Sequence, residues 1–326
     1  MNMIKLPLLS VIILLLSSAD MVFNYYLGNL TEIFDNINIQ EFIVHSIFIL
    51  IISFYLLGYI WGFKNEKKIS RSELSISVVK WEPITIITVL VALNILYLFF
   101  TIIQFSYLYG GDIITLPANL TYAEYARKGF FELAAVTFIN FIIVISCQKN
   151  IKEDNIKLLK MTNFLLTVLV LFTLNMLFSA NFKLNLYESS YGYTFLRVAV
   201  HLFMLLLFIL SLVVAVGIWY RKVPILKSII VLTIVMYTVI NYINIDGFVA
   251  RKNIERYYET GKVDAYYLTT LSNEAVPYLI ELRDNSDSEI KIIINDNLQH
   301  RKEILNNQNS WTEFNFSKNR IRKLLN

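Results

Sequence analysis

The sequence predicts an all-α, polytopic helical membrane protein, with about seven transmembrane helices followed by a small C-terminal helical extracytoplasmic region. Three observations carry that expectation. Of 326 residues, 56% are apolar and 17% charged, against about 45–50% and about 25% in soluble domains, and the mean hydropathy is +0.55. The apolar residues fall in seven runs, each near the roughly 20 residues that one crossing of a bilayer needs. After residue 245 the composition turns to a mixed tail with helical spacing. A soluble enzyme, a secreted disulfide scaffold and a disordered chain are excluded by the same figures.

In chain order the runs are 4–23, 42–63, 84–107, 130–147, 161–180, 195–220 and 225–245. Each is long enough to cross as a helix, which satisfies its own backbone polar groups where there is no water. None alternates strictly between apolar and polar residues, so an outer-membrane barrel is excluded. Orientation follows from lysine and arginine in the short loops. Thirteen lie on one side, from Lys5 through the groups at 64–80, 149–160 and 221–227, while the other side holds only Arg127, Lys128 and Lys183. This places the amino terminus in the cytoplasm and, after seven crossings, the carboxyl terminus outside. A competing reading of the start is a signal peptide, with Lys5, an apolar stretch and Ser17-Ser18-Ala19 before a cleavage at Asp20. The rest of the map is the same either way.

The expected domains are a transmembrane domain, 1–245, and an extracytoplasmic helical tail, 246–326. The tail has 12 basic and 12 acidic side chains. Gly261 ends one helix and Asp264 starts the next. Ser272 precedes an apolar run at 276–282, Ser286 and Ser288 precede another at 290–298, and Ser317 caps the last turn. Trp311, Phe314 and Phe316 argue against a loose tail, since aromatic residues are depleted in disorder. So small a set of helices is expected to pack on the membrane domain.

Three stretches together carry a family resemblance. They are 104–111 (QFSYLYGG) with 121–133 (TYAEYARKGFFEL), then 186–197 (LYESSYGYTFLR), then 253–277 with NIER, VDAYYL and LSNEAVP. Residues 18–23 (SADMVF) add a fourth match. On these the chain resembles an uncharacterised bacterial multi-pass membrane family, domain-of-unknown-function family 4173, and its close sister family. The likeness runs from about residue 8 to 311. It implies a location in the bacterial cytoplasmic membrane and no established activity, so no functional residue is carried over.

The residue chemistry gives few enzyme signatures. There is no phosphate loop, no dinucleotide fingerprint, no His-Glu-x-x-His and no nucleophile elbow. A single cysteine, Cys147, forms neither an internal bridge nor a thiolate cluster. The net charge of +4 is too small and scattered for nucleic acid. No cofactor and no metal is expected. The expected partners are the lipid bilayer and, through 246–326, a membrane or cell-envelope partner.

Polar and ionisable side chains inside spans are costly and default to functional candidates. Those in this sequence cluster at one depth: Asp20 near the outer end of span one, His45 in the first turn of span two, Gln104 at the exit of span three. Glu132 lies a turn into span four, and Arg197 and His201 share a face of span six. Asn175 and Asn241 sit at the same level, as helix–helix hydrogen-bonding groups. Together they suggest a polar chamber opening outward, with Glu132 paired to Arg197 or Lys128. Asp20 also suits the water interface, and the histidines suit hydrogen-bonded positions better than a zinc site. The loop before span four carries a capping box, Thr121 and Glu124, and offers Arg127 and Lys128 to an external anion. The candidate binding residues are thus Asp20, His45, Gln104, Arg127, Glu132, Arg197 and His201. The function this favours is a binding or regulatory membrane protein. The alternatives are a transporter of a small solute and a membrane-embedded enzyme acting on outer-leaflet lipid or cell-wall material.

Overall fold

The computed structural model describes residues 2–32, 80–108, 129–151, 155–220, 222–307 and 316–325. The expected second span with His45, and the loop carrying Thr121, Glu124 and Arg127, lie outside the described residues. Among the described residues the chain is helical throughout, and its β-structure is confined to an isolated parallel bridge between Trp81 and Ile151.

The first apolar run is divided at Asp20 into α1 (Asn2–Ala19) and α2 (Met21–Glu32). The sequence suggested one uninterrupted crossing over 4–23. The division arises because the Asp20 carboxylate turns back on its own chain, accepting from the amides of Val22 and Phe23 at 3.1 and 3.0 Å. Aspartate at this position caps two otherwise unpaired donors of α2 and meets the positive end of its dipole.

Four helices closely follow their expected spans: α3 (Pro83–Leu108), α4 (Phe130–Asn150), α6 (Phe195–Trp219) and α7 (Ile225–Tyr242). Between them α5 (Ile156–Tyr191) runs 36 residues. It continues about three turns beyond the expected end at 180, so Lys183 and Glu188 lie within a helix rather than in a loop. Helices α3 to α7 are each long and apolar enough to cross a membrane. The protein is an all-α polytopic membrane protein.

The chain forms two compact units, Met1–Lys183 with Leu207–Val231, and Leu184–Leu206 with Leu232–Asn326. In the first unit, α1 packs on α4, and α1 and α2 both reach α3. Phe23 sets its ring edge-on against Phe99 and Phe100, at 6.1 and 5.1 Å between centroids. Gly129, at φ +103°, begins α4 so close to α1 that a Cβ would stand 2.1 Å from the Ala19 carbonyl oxygen. Only glycine both accepts that dihedral and leaves that space.

The second unit is built from α8 (Ile245–Thr260), α9 (Ala265–Thr270), α10 (Val276–Asn285), α11 (Ser288–Asn307) and α12 (Phe316–Leu325). Its core holds Val249, Leu268, Val276, Leu279 and Ile294 together with Val198 of α6. Thus the unit that contains the tail also includes the ends of helices that precede it. Gly261 ends α8 in the left-handed conformation and Asp264 caps α9 through the Tyr267 amide at 2.9 Å, as the sequence suggested. Ser317, expected as a cap, is instead the second residue of α12.

Candidate functional site

Two polar clusters hold most of the described candidates, one in each unit. In the first, the buried Asp20 carboxylate receives Lys183 Nζ at 2.7 Å on the oxygen not used for capping. Both side chains are almost fully excluded from solvent, at 0 and 3% exposure. Hydrocarbon makes an unpaired charge costly, so each residue is the condition for the other. Asp20, which the sequence also suits to the water interface, is held in this ion pair. Nearby in the chain, Ser18 Oγ donates to Glu132 at 3.3 Å.

Helices α3 and α5 run in the same direction, as two contacts show. Asn94 donates to the Leu165 carbonyl at 3.1 Å, and Asn175 to Thr101 Oγ1 at 3.4 Å. Between these levels Tyr97 donates to Asn140 Oδ1 at 2.7 Å, and Asn140 Nδ2 to Thr173 Oγ1 at 2.9 Å, linking α3, α4 and α5. One turn beyond Thr101 and Asn175 stand Gln104 and Ser179, both buried. Neither amide atom of Gln104, nor the Ser179 hydroxyl, has a hydrogen-bond partner among the described residues. Asn175 is the helix–helix bond its position suggested, whereas Asn241 donates within its own helix, to the Tyr237 carbonyl at 2.7 Å.

The second cluster centres on Glu188, which is buried near the end of α5. Its Oε2 lies 2.9 Å from His201 Nε2, while Oε1 has no partner among the described residues. Arg197, one turn before His201, stacks its guanidinium 4.3 Å from the centre of the Tyr187 ring and donates to the Gly192 and Tyr191 carbonyls. Arg256 donates to the neighbouring carbonyls of Ser189 and Ser190, at 3.0 and 2.7 Å. Two arginines thereby satisfy carbonyls that a helix end leaves unpaired, and place positive charge at the negative end of α5. Gly192, at φ +81°, lets the chain turn here. Asn253 then clamps Tyr193, accepting from its amide at 2.9 Å and donating to its carbonyl at 2.8 Å. Burial, and after it the Glu188 carboxylate, push the Tyr193 phenol above its ordinary pKa.

Glu132 and Arg197, suggested by the sequence as a pair, thus belong to different units, and each has the partners named for it above. Among the described residues no group of three His, Cys, Asp or Glu side chains is set to hold a metal ion. Lys183 and Glu188 were not candidates in the sequence. Lys183 read as a loop cation, and Glu188 sat beyond the expected end of its span. The available signal was helical: from Met176 to Tyr191 no glycine or proline interrupts the run. Chemically, the first cluster is an ion-paired lock between helices. The second presents a buried carboxylate–imidazole pair with one carboxylate oxygen without a partner among the described residues.

Residues 2–282 match the family described as Domain of unknown function (DUF4153). The match is to an uncharacterised family, as the motifs suggested, under a different number from the 4173 family named with its close sister family. No curated protein and no solved structure matches the chain.

Proposed function

We propose, starting from the fact that the chain belongs to the DUF4153 family, that it is a binding or regulatory membrane protein whose receiving end is the helical tail. One observation carries the reading. The tail helices share a hydrophobic core with Val198 of the apolar helix α6, and the tail's Arg256 and Asn253 hold the end of α5 and the turn that follows it. A ligand or partner on the tail therefore acts on side chains bonded directly to long apolar helices. Exposed apolar side chains on the same unit, Tyr266 and Ile292 at 71 and 69%, offer a contact surface for a membrane or cell-envelope partner. The excess of basic residues in one set of loops supports an inward amino terminus and an outward tail in a cytoplasmic membrane.

The test places a photocrosslinking amino acid at Tyr266 and at Ile292 of the full chain in intact cells. It also places a cysteine at the exposed Gln299, with Cys147 replaced. The reading expects a discrete crosslinked adduct and labelling of Gln299→Cys by an impermeant maleimide. Absence of any adduct at either site overturns the partner platform, and labelling only after lysis overturns the orientation.

A second reading, an enzyme acting at the outer leaflet, is favoured by the Glu188–His201 pair, whose other carboxylate oxygen has no partner among the described residues. A buried carboxylate beside an imidazole is a common arrangement for moving a proton. If Glu188→Gln keeps thermal stability and partner crosslinking yet abolishes the cellular phenotype, the enzyme reading gains.

A further inference from the structure

We propose that the first unit carries an intramembrane site for one acyl chain of an anionic phospholipid, at the end of α3 and α4 remote from the Asp20–Lys183 pair. A cavity of about 260 Å³ opens there between α1, α3 and α4, walled by Leu8, Trp81, Val89, Ile143, Ser146 and Cys147. It exceeds the 150 Å³ or so that holds benzene and falls just short of drug-sized pockets, at about 300–1,000 Å³. Its lining is almost wholly apolar, so water finds few partners there.

The headgroup end is set by charge. The Trp81 amide donates to the Asn150 carbonyl at 2.7 Å, which holds the start of α3 against the end of α4. Lys80 and Lys149 are the residues next to the two ends of that bond, and both side chains are exposed. Lys149 stands one turn beyond Ser146 on the cavity wall. Two cations thus flank the place where a chain leaving the cavity would carry its phosphate, and Trp81 has the amphipathic ring typical of that depth. In sequence the acidic neighbours at this end are Glu82, Glu153 and Asp154, against Lys80, Lys149, Lys152, Lys157 and Lys160. The balance is positive, which selects an anionic over a zwitterionic headgroup.

Trp81 is itself the reporter. The full chain carrying Trp61→Phe, Trp219→Phe and Trp311→Phe keeps one tryptophan. It is reconstituted in vesicles of nine parts phosphatidylcholine to one part phosphatidylglycerol, with bromine on the acyl chains of one lipid at a time. The site predicts quenching by brominated phosphatidylglycerol at least about threefold above its mole fraction. Lys80→Gln with Lys149→Gln should return it to the mole fraction, and Val89→Phe should remove most quenching by either lipid. Ile143→Phe serves as a second filling variant if Val89→Phe fails to assemble. Quenching that follows mole fraction in the parent overturns the headgroup preference. Quenching unchanged by a folded filling variant shows that bromine reaches Trp81 from outside, and overturns the site. No quenching by either lipid assigns the cavity to an occupant other than lipid, and overturns it as well.

Discussion

The membrane-spanning interior and the tail unit differ in how polar side chains tie one helix to the next. In the first unit most bonds that tie one helix to another join two side chains: Tyr97 with Asn140, Asn140 with Thr173, Asn175 with Thr101, Asp20 with Lys183, while threonines such as Thr137 and Thr173 bond carbonyls of their own helix. In the tail unit, long side chains reach backbone carbonyls instead. Arg197 and Arg256 do so at the end of α5, Arg301 at Thr269 and Leu271 at the end of α9, and Arg322 at Leu305 in the last turn of α11. The reason is the frequency of helix ends. A span-length helix bonds nearly all of its own backbone, so a polar side chain that links two such helices most often meets another side chain. Every short helix leaves four carbonyls open at its C-terminal end, and a long donor such as arginine covers more than one at once.

The largest effect expected from this contrast is at Lys183. Lys183→Met leaves the Asp20 carboxylate buried and uncompensated, costing about 3–5 kcal/mol. Adding Asp20→Asn should recover much of that, since asparagine keeps the cap without the charge. Thermal unfolding of the purified protein in detergent measures both, and additive losses would break the pair. Next comes Arg301→Met, which removes the bonds to the Leu271 and Thr269 carbonyls, the latter keeping only Asn297 at 3.4 Å, and those to Asn273 and Asn297. It should cost about 1–3 kcal/mol, localised by hydrogen exchange to α9 and its flanks. If protection there is unchanged, arginine capping does not hold the tail together.

Tyr97→Phe is smaller, about 0.5–1.5 kcal/mol, near the modest worth of side-chain hydrogen bonds between membrane helices. A loss as large as that of Arg301→Met would mean the interior network matters as much as the caps. The smallest effect is electrostatic. Lys252, bonded to Glu255 at 2.6 Å, holds that carboxyl below its ordinary range. A lowered folded pKa stabilises above the unfolded value, and the gain disappears as pH falls through the folded one. Glu255→Gln should therefore slightly reduce the stability difference between pH 7 and pH 4. A change in the other direction would contradict the assigned pairing.

Local features were legible in the sequence, and distant ones were not. Gly261 and Asp264 announce a helix end and start because caps act within a few residues. The ends of α3 and α6 follow from Pro83 and from the length of the apolar run. By contrast, Asp20 and Lys183 are 163 positions apart, and nothing near either residue names the other. The same blindness shortened α5: Lys183 and Glu188 look like loop residues until Asp20 and His201 are seen to face them. Gln104 was a candidate from depth alone, and burial without a partner among the described residues keeps it one.

The length of α5 has a mechanical consequence. Thirty-six residues rise about 54 Å at about 1.5 Å per residue, against a hydrocarbon layer of about 30 Å. Even inclined by about 40°, the upper end of the usual range, the helix would rise about 41 Å along the membrane normal. Part of it must therefore stand clear of the hydrocarbon at any ordinary tilt. The rod behaves as a dipstick: thicker bilayers wet less of it, and thinner ones wet more. Its last turn carries Glu188 and three arginine-held carbonyls, so whatever excess length falls at that end sets how far these groups stand from the hydrocarbon.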